Sequence, residues 1–467
     1  MDQLSDMQKA IFKRGTDVGK LAQQLFQGGI DASPKSQFEY DKAVVVTKNL
    51  LKEKQKMKSN FLSTYPDSQV LLKMTPVSEI PQVNGHVHTP YSFSAFENIG
   101  QIFEMACKEN IVAVGINDFF VSDGYEPFCT EALRNNVFPL FNIEFISLLK
   151  PEQQQGIRIN DPNNPGRCYF SGKGLDYPFS VDKRLAEKLG HIVSQSQEQV
   201  KTMIGKCNQW FAALQAGIRL NYPDIRRKFA KELVRERHIA KAIRVAVFEI
   251  CSGEQERKTL LTLIFDGKEP KSNLSDIPAL DNEIRGNLLK SGGKAFVEED
   301  ENAFLSLDEV MEIILAAGGI PCYPVLLDDK NGTYTEYERD PEILYKELSK
   351  RNIKCLELIP GRNDASHLQR FVEFFQKKDF VILLGTEHNA PEMIPLACDT
   401  RDKKPLNSYI SHISYEGACV VAAHQYLRSK GLPGFINERG LPDTTRKSEL
   451  VKLGSAVIHY TNVNYKA

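Results

Sequence analysis

The sequence predicts an α/β fold built on a parallel sheet, and two observations lead there. Short strand-like runs alternate with helical segments, first over residues 79–150 and again over 306–430. Polar residues fall at the ends of those runs: His86 and His88, Asn117 and Asp118, then Glu144. These are the carboxyl ends, where α/β barrels and open sheets build their sites.

Composition bounds the reading. The 467 residues are 42% hydrophobic and 25% charged, enough chain for a large core. A formal net charge of -1 gives no global field toward nucleic acid or membrane. The longest apolar runs, "GACVVAAHQYL" and "FVILLG", fall short of the roughly 18 residues of a membrane span. Nine cysteines without a CxxC pair read as reduced thiols, so cysteine ligation of a metal is not expected. The opening "MDQLSDMQKAIFKRG" has charge from its second residue and does not read as a secretory signal. A cytoplasmic location is the expectation.

The elements follow in order. Residues 1–78 read as a helical segment, with apolar residues at helical spacing in "DKAVVVTKNLLKEKQKMKSNFLSTY". Strand, helix, strand, helix, strand then runs through "QVNGHVHT", "NIGQIFEMACKEN", "IVAVGINDF", "EPFCTEALRNN" and "VFPLFNIEFISLL". Residues 151–305 break the pattern and read as a mainly helical insertion. It opens on the loop-like "PEQQQGIRINDPNNPGRCYFSGKG" and continues through two long helical stretches. The second, "YPDIRRKFAKELVRERHIAKAIRVAVFEIC", carries Arg227, Lys231 and Arg235 at i,i+4, which reads as a solvated basic face. Alternation resumes at 306 with "SLDEVMEIILAAGG" and "IPCYPVLL". It runs on through "CLELIPG" and "FVILLGTEHNAP" to the helix "SYEGACVVAAHQYLRSKG". Residues 431–467 form a C-terminal extension.

In a strand, residues i and i+2 point to the same side, so "HVH" aims both imidazoles into one space. Two imidazoles on a rigid element are what a divalent metal takes as neutral ligands. Glu144, ending the apolar run "FNIEF", can complete or bridge such a site. "LLGTEHNAP" supplies Glu387 and His388 at the end of the last strand, with Glu387 on the side of Val381, Leu383 and Gly385.

These pieces resemble the PHP (polymerase and histidinol phosphatase) family of metal-dependent phosphoesterases. The matching segments are "NGHVHTPYS", "AVGINDFF", "LFNIEFI", "AGGIPCYPV", "CLELIPGRN" and "LLGTEHNAP", in the family's order and spacing over roughly 80–150 and 306–395. The resemblance implies a distorted (β/α)7 TIM-like barrel carrying metal ions at its carboxyl face. It leaves residues 1–78 and the insertion uncovered. It also implies losses. Phe93 stands at a commonly acidic position, and Phe119 and Tyr323 replace histidines. Asn389 stands where the last histidine belongs, and Glu387 replaces aspartate. His86, His88, Glu144 and Glu387 remain and correspond to one metal position.

The resulting expectation is a metal-dependent hydrolase with one Zn, Mn or Fe ion per chain, acting on a small anionic, phosphorylated or sugar-like substrate. Asp118 and His388 are the candidate general acid or base. Asn117, Tyr323, Arg362 and Asn389 are the candidate substrate contacts, Arg362 by bidentate binding of carboxylate or phosphate. Nucleic acid is not expected as a partner. A non-hydrolytic isomerase, epimerase or lyase on a sugar or sugar acid, and an inactive PHP-like binding protein, stay open beside it.

Overall fold

A computed structural model describes residues 60–73, 80–328 and 332–464. Most of the helical segment expected over 1–78 lies outside the described residues. Within 60–73 the chain makes a 3-10 turn, Phe61–Thr64, and a one-turn helix, Ser68–Leu71. Phe61, Tyr65 and Leu71 are buried in the barrel's core.

Seven strands form one sheet in chain order: β1 (Gln82–Val87), β2 (Ile111–Phe119), β3 (Phe138–Leu148), β4 (Arg167–Lys173), β5 (Ile320–Val325), β6 (Cys355–Leu358) and β7 (Val381–Leu384). The end of β7 returns to β1. Val87 bridges Glu387 in parallel, His88 N donates to Glu387 O (2.7 Å) and Glu387 N donates to His86 O (3.0 Å). The sheet is thus a nearly closed barrel. Gly385 makes the closure possible, because a side chain there would run into the backbone and Cβ of His86.

One strand departs from strict β/α alternation. β4 runs antiparallel to both β3 and β5. It lies inside the stretch that reads as loop from its Gly, Pro and Asn content. Those residues make the turn between β3 and β4, and the seven residues after them complete the barrel wall. Every residue of β3 is buried, as expected of a strand covered on both faces.

Helices α1 (Ile99–Lys108) and α2 (Tyr125–Arg134) link the first three strands. The insertion follows β4 as α3 (Lys183–Ala213), α4 (Tyr222–Phe229), α5 (Glu236–Ile250), α6 (Glu254–Ile264) and α7 (Ile277–Ile284). Helix α8 (Leu307–Ala316) leads into β5. Helices α9 (Pro341–Lys350), α10 (Ala365–Gln376), α11 (Ser408–Ser429) and α12 (Lys447–Asn464) complete the chain. From Val200 to Ala295 the insertion has its own apolar core, including Ile204, Phe211, Ile243 and Leu288. α11 is buried over most of its length. Its Gly417 lies against the Ile382 carbonyl of β7, where a methyl group would collide.

The basic stretch expected on one helical face is split. α4 ends at Phe229 and α5 starts at Glu236, so Arg227, Lys231 and Arg235 do not share a helix. The break has a cause: Lys231 N donates to Pro90 O (3.2 Å) and Leu233 N to Tyr91 O (2.9 Å). The backbone there leaves helical pairing to bond the loop after β1.

Candidate metal centre

His86 and His88 lie on the inner side of the end of β1, and Glu144 faces them from β3. Their side chains converge, with one ligand atom from each within 4.8 Å of the others. Nε2 of His86 is 3.2 Å from Nε2 of His88. Glu144 Oε2 is 3.1 Å from the His88 Nε2 and 3.9 Å from that of His86. A tetrahedral ion with bonds of about 2.0–2.2 Å spaces its ligand atoms about 3.3–3.6 Å apart. The three separations bracket that range.

The surroundings fix which nitrogens carry lone pairs. His86 Nδ1 lies 2.9 Å from Glu357 Oε2. Burial raises Glu357, but Lys173 and then His86 outweigh it and hold the carboxyl well below its usual range. Glu357 therefore only accepts, His86 Nδ1–H donates to it, and the His86 Nε2 lone pair turns to the cluster. His88 Nδ1 lies 3.1 Å from Ser92 Oγ, whose own hydrogen goes to Asp118 Oδ1 (2.5 Å). His88 Nδ1–H thus donates to Ser92, and its Nε2 lone pair also turns inward. Two lone pairs then face a carboxyl whose Oε2 is buried and has no hydrogen-bond partner. Burial pushes the Glu144 carboxyl up to about 8 and the His88 imidazole well down. A cation is the group this donor set lacks, and the residues fit one divalent ion.

Beneath the cluster, Lys173 ion-pairs with Glu357 and donates to Asn117 Oδ1 (3.1 Å). Ser171 Oγ donates to the other Glu357 oxygen (2.6 Å). Asn117 Nδ2 lies 3.0 Å and 3.2 Å from the two His86 nitrogens, which places it over the ring and not in line with either lone pair.

The other predicted residues lie as follows. Glu387 is outside the three-residue group and ion-pairs with Arg362. Both Glu387 and His388 adopt positive φ (64° and 55°), so the strand twists out of the alternation assumed for its end. His388 is engaged at both nitrogens, Nδ1 with Thr386 Oγ1 (2.8 Å) and Nε2 with Ile394 O (2.9 Å), and its ring stacks on Phe96. Asn389 follows it, half-buried, in the same loop. Asp118 accepts from Thr89 N (2.8 Å), Thr89 Oγ1 and Ser92 Oγ, so it holds the loop that orients His88. Burial lifts it to about 6 despite those hydrogen bonds. The Tyr323 hydroxyl donates to Glu338 (2.9 Å), away from the cluster.

Lys173, Ser171 and Glu357 are the residues that sequence reading passed over. A signal was present for Glu357, a charged residue inside the apolar run "CLELI". Ser171 and Lys173 share strand parity, but in a stretch that reads as loop.

Phe93 and Phe119 meet the insertion. Phe119 stacks on His88 (centroids 4.9 Å apart) and lies 4.7 Å under the guanidinium carbon of Arg235. Phe93 packs edge-on to His238 (4.9 Å) and beneath Arg237 (5.6 Å).

Fold and site together define a barrel with a buried three-residue candidate cation site, covered on one side by an inserted helical unit. No family model and no curated protein matches the chain. Among solved structures, one of similar outline is a candidate metal-dependent phosphoesterase from Bifidobacterium adolescentis. It has a TM-score of 0.46 and 14% identity over 73% of this chain and 96% of that one. Another is an amidohydrolase from Chromobacterium violaceum, with a TM-score of 0.43 and 14% identity over 71% and 96%. Among the described residues, no helix is long and apolar enough to cross a membrane.

Proposed function

We propose that the chain is a metal-dependent hydrolase of the PHP type, acting on a small anionic substrate through a one-ion site. The observation that carries this is the orphaned Glu144 Oε2 facing the lone pairs of His86 and His88. A divalent ion held there supplies Lewis acidity toward a carbonyl or phosphoryl oxygen. The chain's own residues do the rest. Glu357 and Ser92 fix the two imidazole tautomers, and the low exposure of the cluster keeps bulk water away from it. The aromatic rings at Phe119 and Tyr323 offer no ligand, which supports a single ion over a two-metal clamp.

Metal analysis of the purified full-length chain tests the site. Wild type is expected to hold about one zinc or manganese equivalent, and His86→Ala/His88→Ala none. Equal metal content in the two would overturn the assignment. A screen of phosphate monoesters against sugar acids then separates hydrolysis from isomerisation or lyase chemistry. Glu144-dependent turnover of an ester is the expected result, and turnover of a sugar acid alone would favour the non-hydrolytic reading.

A further inference from the structure

We infer that Arg235 and Tyr169 form a subsite for the anionic end of the substrate, a carboxylate or a phosphate monoester, at the barrel mouth beside the His86–His88–Glu144 cluster. This rests on the function proposed above and names groups that the cluster itself does not include.

Arg235 is the half-buried residue just before α5, at the point where the insertion bonds the loop after β1. Its guanidinium has no carboxylate partner among the described residues. Among the neighbouring arginines, Arg237 is engaged by the Asn282 side chain (2.9 Å). Arg226, Arg227, Arg244 and Arg285 each pair with an acidic residue of the insertion. Acids near the mouth are also engaged: Asp161 accepts from Asn163 and Asn164, and Glu299 pairs with Arg167. A partly desolvated guanidinium normally takes a carboxylate or phosphate in its planar fork. Nothing in the described chain supplies one.

Tyr169 lies on β4 with the parity of Ser171 and Lys173, whose side chains meet Glu357 inside the barrel. The register pairs Ser171 with Glu144 and Tyr169 with Ile146, which puts Tyr169 one step nearer the mouth than Glu144. Its ring is 6.3 Å from Phe119, and it lies within electrostatic reach of both Glu144 and Arg235. Its hydroxyl has no hydrogen-bond partner among the described residues. His88 stacks on Phe119 with centroids 4.9 Å apart, and the Arg235 guanidinium carbon lies 4.7 Å from the same ring, so one ring links the cluster to Arg235. A small substrate with its reacting end on the cluster would carry its charge to Arg235.

The test is calorimetric titration of the full chain, metal-free and zinc-loaded, with inorganic phosphate and separately with malonate. Arg235→Gln is expected to weaken the preferred anion at least about tenfold, Arg235→Lys less, and Tyr169→Phe about threefold or more. Zinc stoichiometry is expected to stay at the wild-type value in all three. The anion that loses more identifies the phosphate or carboxylate end. Undiminished binding of both anions by Arg235→Gln overturns the subsite, as does wild type that binds neither. Arg235-dependent anion binding in a chain that takes up no zinc would leave the subsite standing and sink the metal reading. Tyr169→Phe keeps the test open if Arg235→Gln does not fold.

Discussion

Replacing Lys173 by methionine should unsettle the barrel more than almost any surface change. Lys173 is fully buried and Glu357 is 2% exposed. Methionine keeps most of the side-chain volume and removes the cation. Glu357 then retains Ser171 and His86 as donors but loses the lysine that is its only contacting permanent counter-charge among the described residues. Breaking a buried pair from one side costs about 3–5 kcal/mol, because the remaining charge is left desolvated. That is a large part of the total stability of an ordinary domain, about 5–15 kcal/mol. Glu357→Gln alone should also destabilise, since it strands the ammonium. The double variant Lys173→Met/Glu357→Gln removes both charges and should recover to within about 1–2 kcal/mol of wild type.

Urea unfolding followed by far-UV circular dichroism reads the whole chain. Fluorescence of the single tryptophan, Trp210, reads the insertion, because that residue lies on α3 and donates to Ile264 O there. Lys173→Met is expected to shift the dichroism midpoint while moving the Trp210 signal less. A loss below about 1 kcal/mol, or single-variant losses that simply add in the double, would refute the reasoning about this pair. Glu357→Gln carries a second readout. It exchanges the carboxylate that fixes the His86 tautomer for an amide, so zinc affinity should fall about 10–100-fold.

Two further predictions follow from ion pairs. Glu387 is tied to Arg362 outside the three-residue group, so Glu387→Ala should keep the wild-type metal stoichiometry while His88→Ala loses it. Metal analysis of both decides, and equal loss would make Glu387 a ligand. The Glu336 carboxyl accepts from Arg158 N (2.8 Å), Nε (3.0 Å) and an outer guanidinium nitrogen (2.6 Å), and that side-chain hydrogen bonding lowers it to about 2. Its folded value lies below its unfolded one, so its contribution is present above about pH 4.3 and is lost as pH falls through about 2. Both groups are about a third exposed, so Glu336→Gln should cost only about 0.5–1 kcal/mol at pH 7, with the difference closing in acid melts. A difference that grew below pH 4 would contradict the sign.

Much of the site was legible because strand parity is a rigid rule. "HVH" and "NIEF" each place a member of the His86–His88–Glu144 group by the side-chain period of two. Glu387 falls outside the three-residue group for the same reason in reverse. Its positive φ takes it out of the strand, and no pattern in "GTEHN" announces that. β4 was hidden by its preceding turn, whose Gly, Pro and Asn residues outweighed seven residues of strand. The Lys173–Glu357 pair could not be read at all from local sequence. Its two members are 184 positions apart, and a buried ion pair exists only once β4 and β6 face each other across the barrel.

Phe93 and Phe119 tie the barrel to the insertion. Phe119 and Phe93 occupy positions where the PHP resemblance implies polar or metal-binding groups, and both touch the insertion. A ring over a guanidinium contributes about 0.5–2 kcal/mol, depending on how dry the contact is. Together with the two backbone hydrogen bonds to Pro90 and Tyr91, these contacts fasten residues 231–238 to the rim of the barrel. Phe119 also lies against His88, so one ring joins the covering segment to the His86–His88–Glu144 cluster. The rings at these two positions therefore have two consequences. On the proposed reading they leave ligands for one cation, and they bring an arginine of the insertion beside the His86–His88–Glu144 cluster. The specificity of such a site would be set by the insertion, and the chemistry by the strands beneath it.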